Sequence, residues 1–391
     1  MKRKLNRQVF LGAAFLMATS AIGPGFLTQT TVFTNQLLAS CGAVILLSVI
    51  LDVVAQLNIW RIITVSGKKA SVLANELLPG VGHFLTVIIV LGGLAFNIGN
   101  ISGAGLGLNV LFNISVQQGA AISAFIAILV FVLKEAGDIM DWFVKILGVL
   151  MIGLTLYIAI ITDPPLKEVI VKSIYPTKFS WLSVITLVGG TVGGYITFAG
   201  AHRLLDAGIR GKESLQLVSK SSITAILLAS LMRALLFLAA LGVVIKGYQL
   251  SKDNPAASVY EFAAGKIGYK IFGIVMWAAS ITSVVGSSYT SISFLKTLHP
   301  SLEKRSTWHI VLFILISTII FIQWGKPIVI LIWAGTINGF ILPLSLGIML
   351  CVINKKRIFA DYRHPILLTV MGWIVVALML WMSFKTLWEQ F

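Results

Sequence analysis

Long apolar runs recur from one end of this chain to the other, and they dictate what it can fold into. A helix needs about 20 apolar residues to cross a bilayer. Runs of that kind occupy roughly residues 10–36, 39–60, 84–112, 118–134, 142–162, 182–202, 219–245, 271–295, 308–323, 327–353 and 366–388. With 58% hydrophobic and 11% charged residues among 391, too little polar surface exists to cover a globule in water. The fold class is therefore an all-α membrane protein, because a helix satisfies its own backbone groups where the bilayer cannot.

The net charge of +16 raises nucleic acid as a partner, and the placement of the basic residues answers it. With the N-terminus inside, inner segments carry about twice as many Lys and Arg as outer ones, as the positive-inside rule asks. The expectation is a multi-pass protein of the cell (plasma) membrane, N-terminus cytoplasmic and C-terminus outside. Its partners are the lipid bilayer and a small-molecule substrate, with no nucleic acid and no obligate protein partner. The basic start and apolar run at 2–21 also have the form of a cleaved signal peptide, but the run continues into Gly23-Pro24-Gly25 and the topology needs it as the first span. Cys41 and Cys351 fall near opposite faces in this map, too far apart for a disulfide.

No stretch reads as a soluble domain, so residues 1–391 form one transmembrane domain. Spans one to five laid on six to ten give a weak internal symmetry, with repeats about 9–162 and 182–353 and an extra helix at 364–388. The first span is interrupted by Gly23-Pro24-Gly25 and the polar residues Thr28, Gln29, Thr30 and Thr31. The sixth is interrupted by Gly189-Gly190-Thr191-Val192-Gly193-Gly194-Tyr195-Ile196-Thr197. Matched breaks in spans of opposite direction point to an inverted repeat with discontinuous helices at the midplane. Unwound backbone there has free hydrogen-bonding groups, glycine lets a solute approach it, and a resumed helix offers N–H groups to an anion. The plainer reading of each glycine patch is close helix packing. The matching of two patches favours a site, lined by Gly25, Thr28, Gln29, Thr30, Thr31, Thr191, Gly193, Gly194, Tyr195 and Thr197, with Asn97 and Asn100 from the third span.

Several segments resemble the natural resistance-associated macrophage protein family: Ala21-Ile22-Gly23-Pro24-Gly25-Phe26-Leu27, Thr64-Val65-Ser66-Gly67-Lys68, Ala95-Phe96-Asn97-Ile98-Gly99-Asn100 and Leu187-Val188-Gly189-Gly190-Thr191-Val192. The resemblance implies a LeuT-type fold of two inverted five-helix repeats, here with an eleventh transmembrane helix. The family's metal-binding motifs do not carry over. Asp-Pro-Gly-Asn in the first helix has no counterpart, since the first acidic residue of the chain is Asp52. Gly193, Gly194 and Tyr195 stand where Met-Pro-His would. The chain is similar to a divergent branch, which implies a carboxylate or amino-acid derivative such as 5-oxoproline as solute. The competing reading keeps divalent metal transport, of magnesium or manganese, through a remodelled site.

Charges inside spans are expensive and normally face a partner. Asp52 in the second span and Arg233 in the seventh are expected to pair or share a network, as a structural bridge or a coupling pair. Ser283 and Ser287, at i and i+4 in the eighth span, share a face and with unwound first-helix carbonyls could hold sodium. His202, just past the sixth-span break, is a gating or proton-handling candidate. Thr336 and Asn338 in the tenth span read as polar glue between helices. No protein-bound cofactor or metal is expected. No P-loop, His-Glu-x-x-His or Gly-x-Ser-x-Gly is present to suggest an enzyme, so a proton or sodium gradient is the expected energy source for alternating access.

Overall fold

The computed structural model describes residues 22–298, 301–359 and 362–389, with 134–145, 301, 302 and 356 described by backbone alone. The first-span residues 10–21 lie outside the described residues. Fourteen helices matter here. They are α1 (Pro24–Leu37), α2 (Cys41–Ser66), α3 (Ala70–Leu77), α4 (Val81–Phe112), α5 (Val116–Val132), α6 (Lys134–Ile161) and α7 (Leu166–Ile174). After them come α8 (Trp181–Thr191), α9 (Tyr195–Asp206), α10 (Leu215–Ile245), α11 (Pro255–Leu295), α12 (Ser306–Trp324), α13 (Pro327–Val352) and α14 (Ile366–Trp388). Within the described residues each expected span coincides mainly with helix, and eight stretches there are long and apolar enough to cross a membrane.

Local chemistry sets the helix ends. Pro24 opens α1 at a position where its missing N–H is no loss. Gly67, left-handed at φ +64°, stops α2 six residues later than the apolar run alone suggests. Ser115 and Gln118 form a reciprocal cap on α5, and Ser180 accepts the Ser183 N–H to start α8. Gly265 (φ +63°) divides α11 into a short leading segment and the long membrane helix.

The packing pairs like with like. α1 lies against α8, α2 against α10, and α4 against α11, so the first, second and third elements of one five-span unit meet their counterparts in the other. An odd number of spans per unit reverses the direction of the second. The fit of α4 against its neighbours is close: a Cβ at Gly107 would lie 2.7 Å from Cβ of Trp277 on α11. Outside this core, α14 packs on α2, α8 and α13.

Candidate transport site

The two expected breaks differ. In the sixth span the helix stops at Thr191, and the N–H groups of Val192 and Gly193 both bond the Val188 carbonyl, at 2.9 and 3.0 Å. Gly194 takes φ +42°, ψ −107° and α9 begins at Tyr195. In the first span, by contrast, residues 25–31 are not unwound: all belong to α1, and the discontinuity among the described residues lies at extended Gly23. Thr30 and Thr31 accordingly donate to carbonyls of their own helix, Phe26 at 2.8 Å and Leu27 at 3.0 Å. Proline explains the shift: it is pre-set for helix, so the chain resumes its helix directly after Gly23.

The expected glycine seats are filled by protein. A Cβ on Gly193 would run into the Gly189 backbone, and the Cβ position of Gly194 abuts the Asn338 amide. Asn338 ties this region together. Its Oδ1 accepts the Tyr195 N–H (3.3 Å), while its Nδ2 donates to Gly92 of α4 and Ala334 of α13, both at 2.9 Å. The amide therefore occupies the start of α9 that an anion was expected to hold. From the sequence alone Asn338 reads only as polar glue, since nothing local says which backbone group it reaches. Thr191 donates to Leu187 (2.8 Å), the Tyr195 ring packs edge-on to Phe96, and the Thr197 carbonyl accepts Trp60 Nε1 (2.9 Å).

The start of α1 is more open chemically. A Cβ on Gly23 would sit 3.5 Å from Ser283 Oγ and 3.8 Å from Asn100 Oδ1, ordinary contact distances. Asn100 Nδ2, Thr28 Oγ1, Gln29 Oε1 and Thr197 Oγ1 are buried without a hydrogen-bond partner. Unpaired buried polar groups are uncommon and call for an explanation such as a ligand or water. Gln29 is half-satisfied: its Nε2 donates to Leu331 (2.7 Å), and its amide lies between Gly190, Gly335 and Gly25.

Other candidates fall elsewhere. Asn97 faces away from this cluster, accepting from Ser287 at 2.8 Å and donating to Ser317 at 2.9 Å. Ser283 and Ser287 thus divide: one lies at Gly23, the other is bound to Asn97, and with residues 25–31 helical the expected sodium cage of unwound carbonyls does not assemble among the described residues. His202 accepts the Ala70 N–H at Nε2 (3.2 Å) and stacks on Phe294, anchoring α9 to α3 and α11. Asp52 and Arg233 are both buried but make no ion pair: Arg233 contacts the Leu187 carbonyl at 3.5 Å and lies over the Phe26 ring. Of the two expected arrangements the direct pair is absent; instead the Leu187 carbonyl of α8 faces Arg233 and accepts from Thr191, whose hydroxyl lies beside Asp52, so the two charges border one polar network.

A bundle of discontinuous and continuous helices with polar groups gathered at the discontinuity is the architecture of a membrane transporter. This chain belongs to the natural resistance-associated macrophage protein-like family, whose model matches residues 14–389. It is 58% identical to the membrane protein YcsG of Bacillus subtilis over 100% of this chain and 96% of that one. Two solved structures share the fold. A mutant manganese transporter of Eremococcus coleocola has TM-score 0.74 and 16% identity, over 97% of this chain and 86% of that one. MhsT in complex with L-phenylalanine has TM-score 0.70 and 15% identity, over 95% and 98%. The fold is thus LeuT-type, and the protein is a multi-pass transporter in a lipid bilayer.

Proposed function

We propose that the protein is a secondary active transporter of a small organic solute bearing a carboxylate, driven by an ion gradient through alternating access. Its setting in this reading is the plasma membrane, N-terminus cytoplasmic and C-terminus outside. The observation that supports it is the Asn100 amide at the start of α1: its Oδ1 is the amide atom nearest Gly23, and its Nδ2 is buried without a partner. First-turn N–H groups have no carbonyl within their helix to bond, and with the amide N–H and the Ser283 hydroxyl they form a donor-rich seat suited to an anionic oxygen. The same donors disfavour a bare metal cation, which wants carboxylate, imidazole or thioether. Thr28 and Thr197 have hydroxyls free for the rest of the solute. An amino-acid derivative such as 5-oxoproline is the first compound to try, and MhsT, solved with L-phenylalanine, is a fold relative that holds such a solute.

A thermal-shift screen of purified protein against amino acids, organic acids including 5-oxoproline, and magnesium and manganese salts tests this, because a selective ligand raises the melting temperature. Carboxylate hits lost in Asn100→Ala are expected. Stabilisation and saturable uptake confined to the divalent metals would sink the reading in favour of metal transport.

A further inference from the structure

Two charges stand inside the bundle without an ion pair. Asp52 on α2 and Arg233 on α10 are each 1% exposed. Both carboxylate oxygens of Asp52, and Nε and Nη2 of Arg233, are unpartnered. Each nevertheless acts electrostatically on the other. Arg233 is the charge that acts on Asp52 among the described residues, and the buried Cys41 thiol is the other titratable group near the guanidinium. From α8 come the Thr191 hydroxyl beside Asp52 and the Leu187 carbonyl, and from α1 comes the Phe26 ring, 4.2 Å from Arg233 Cζ.

A carboxylate buried this deeply, with no ion pair and only the Thr191 hydroxyl beside it, holds its charge at high cost, and one proton removes that cost. Sodium suits the place poorly. It needs several oxygens, but the Thr191 hydroxyl donates to Leu187, that carbonyl also faces Arg233, and the guanidinium repels a second cation. A proton needs one oxygen and bonds it covalently. Protonating Asp52 also strips Arg233 of its countercharge. The guanidinium rests on the first turn of α1 and the last turn of α8, the two segments that meet at the candidate site, so its freed positive charge favours an anion there.

Resting on the ion-coupled carboxylate reading above, we propose that Asp52 carries the coupling proton and that Arg233 is the positioning charge that links its uptake to that of an anionic solute. One proton and one monoanion then move together with no net charge.

Two measurements test it. Infrared spectra of purified protein, taken from mildly alkaline to acid pH without solute, are expected to show a carboxylic-acid carbonyl band that vanishes in Asp52→Asn and moves in Asp52→Glu. In proteoliposomes with labelled 5-oxoproline as probe, the parent protein should accumulate it up to about tenfold per unit of imposed pH difference, the limit for one proton per anion. Asp52→Asn should keep exchange of internal for external probe but lose that accumulation. A titrating band with no carriage of the probe leaves the proton site standing and sinks the choice of solute. The proposal is overturned by absence of the band in the parent protein, by pH-driven accumulation in Asp52→Asn, or by accumulation that a sodium gradient alone sustains. If Asp52→Asn does not fold, the parent and Asp52→Glu spectra decide.

Discussion

Gly23 opens α1 with extended backbone, beside side chains with unpaired polar atoms. At residues 192–194 the sixth span breaks more sharply, turning through a positive φ, but its free groups are taken up by Val188, Gly193 and Asn338. One break is open in hydrogen bonding and the other is closed by a side chain from α13. Glycine therefore serves different ends at the two places. At Gly194 it meets a backbone demand, while at Gly23 it leaves room between Asn100 and Ser283.

The sharpest way to break this contrast is to put side chains at both glycines. Gly194→Val combines φ +42° with a clash on Asn338, and is expected to cost about 3 kcal/mol or more, seen as loss of folded, monodisperse protein. Gly23→Ala meets only ordinary contacts and should cost about 1 kcal/mol or less while weakening solute binding. Equal destabilisation by the two would erase the distinction.

Asn338→Ala comes next. It strips the Tyr195 N–H and two carbonyls of a partner, and about 1 to 3 kcal/mol should be lost for the groups left unpaired. Thermal melting with and without solute reads this out. A variant as stable as its parent would mean that the sixth-span break does not depend on the amide.

Along α1 itself, Thr28→Val should lower solute affinity with little change in melting temperature, since its hydroxyl has no protein partner. Thr30→Val and Thr31→Val remove bonds internal to one helix and are expected to cost under about 1 kcal/mol, with affinity unchanged. Reversal of that order would relocate the site to the other face of α1.

The smallest effect concerns a region remote from both breaks. His364 joins Asn58 at Nε2 (2.9 Å) and Tyr362 at Nδ1 (3.1 Å), linking α2 to the segment that leads into α14. Burial, with a smaller contribution from Arg61, pushes its pKa from 6.5 down to about 4. The unfolded chain therefore binds this proton more readily. The contribution to stability is full above pH 6.5 and is lost as pH falls from there toward about 4. Melting temperature should decline over that interval in the parent and less so in His364→Gln, with solute affinity at neutral pH unaltered. An unchanged pH profile in the variant would remove His364 as the cause.

The sequence by itself determined the solvent of this protein, its class and its helix inventory. Those follow from apolar run length, and a run such as 219–245 has no alternative to helix in a bilayer. It also located the sixth-span break, because consecutive glycines at 193 and 194 weaken helix wherever they stand. Only the tertiary structure decided which groups near the breaks are free. Thr28 and Thr30 are both threonines on one helix, yet one hydroxyl bonds backward and the other bonds nothing. Asn97 and Asn100 lie one turn apart, and one is held by Ser287 and Ser317 while the other adjoins Gly23. Asp52 and Arg233 were recognisable as costly charges, but their separation was not. The reason is that a polar group's availability depends on what lies within about 3 Å of it, and for groups such as Asn338 and Tyr195 that neighbour comes from a helix far away in the chain.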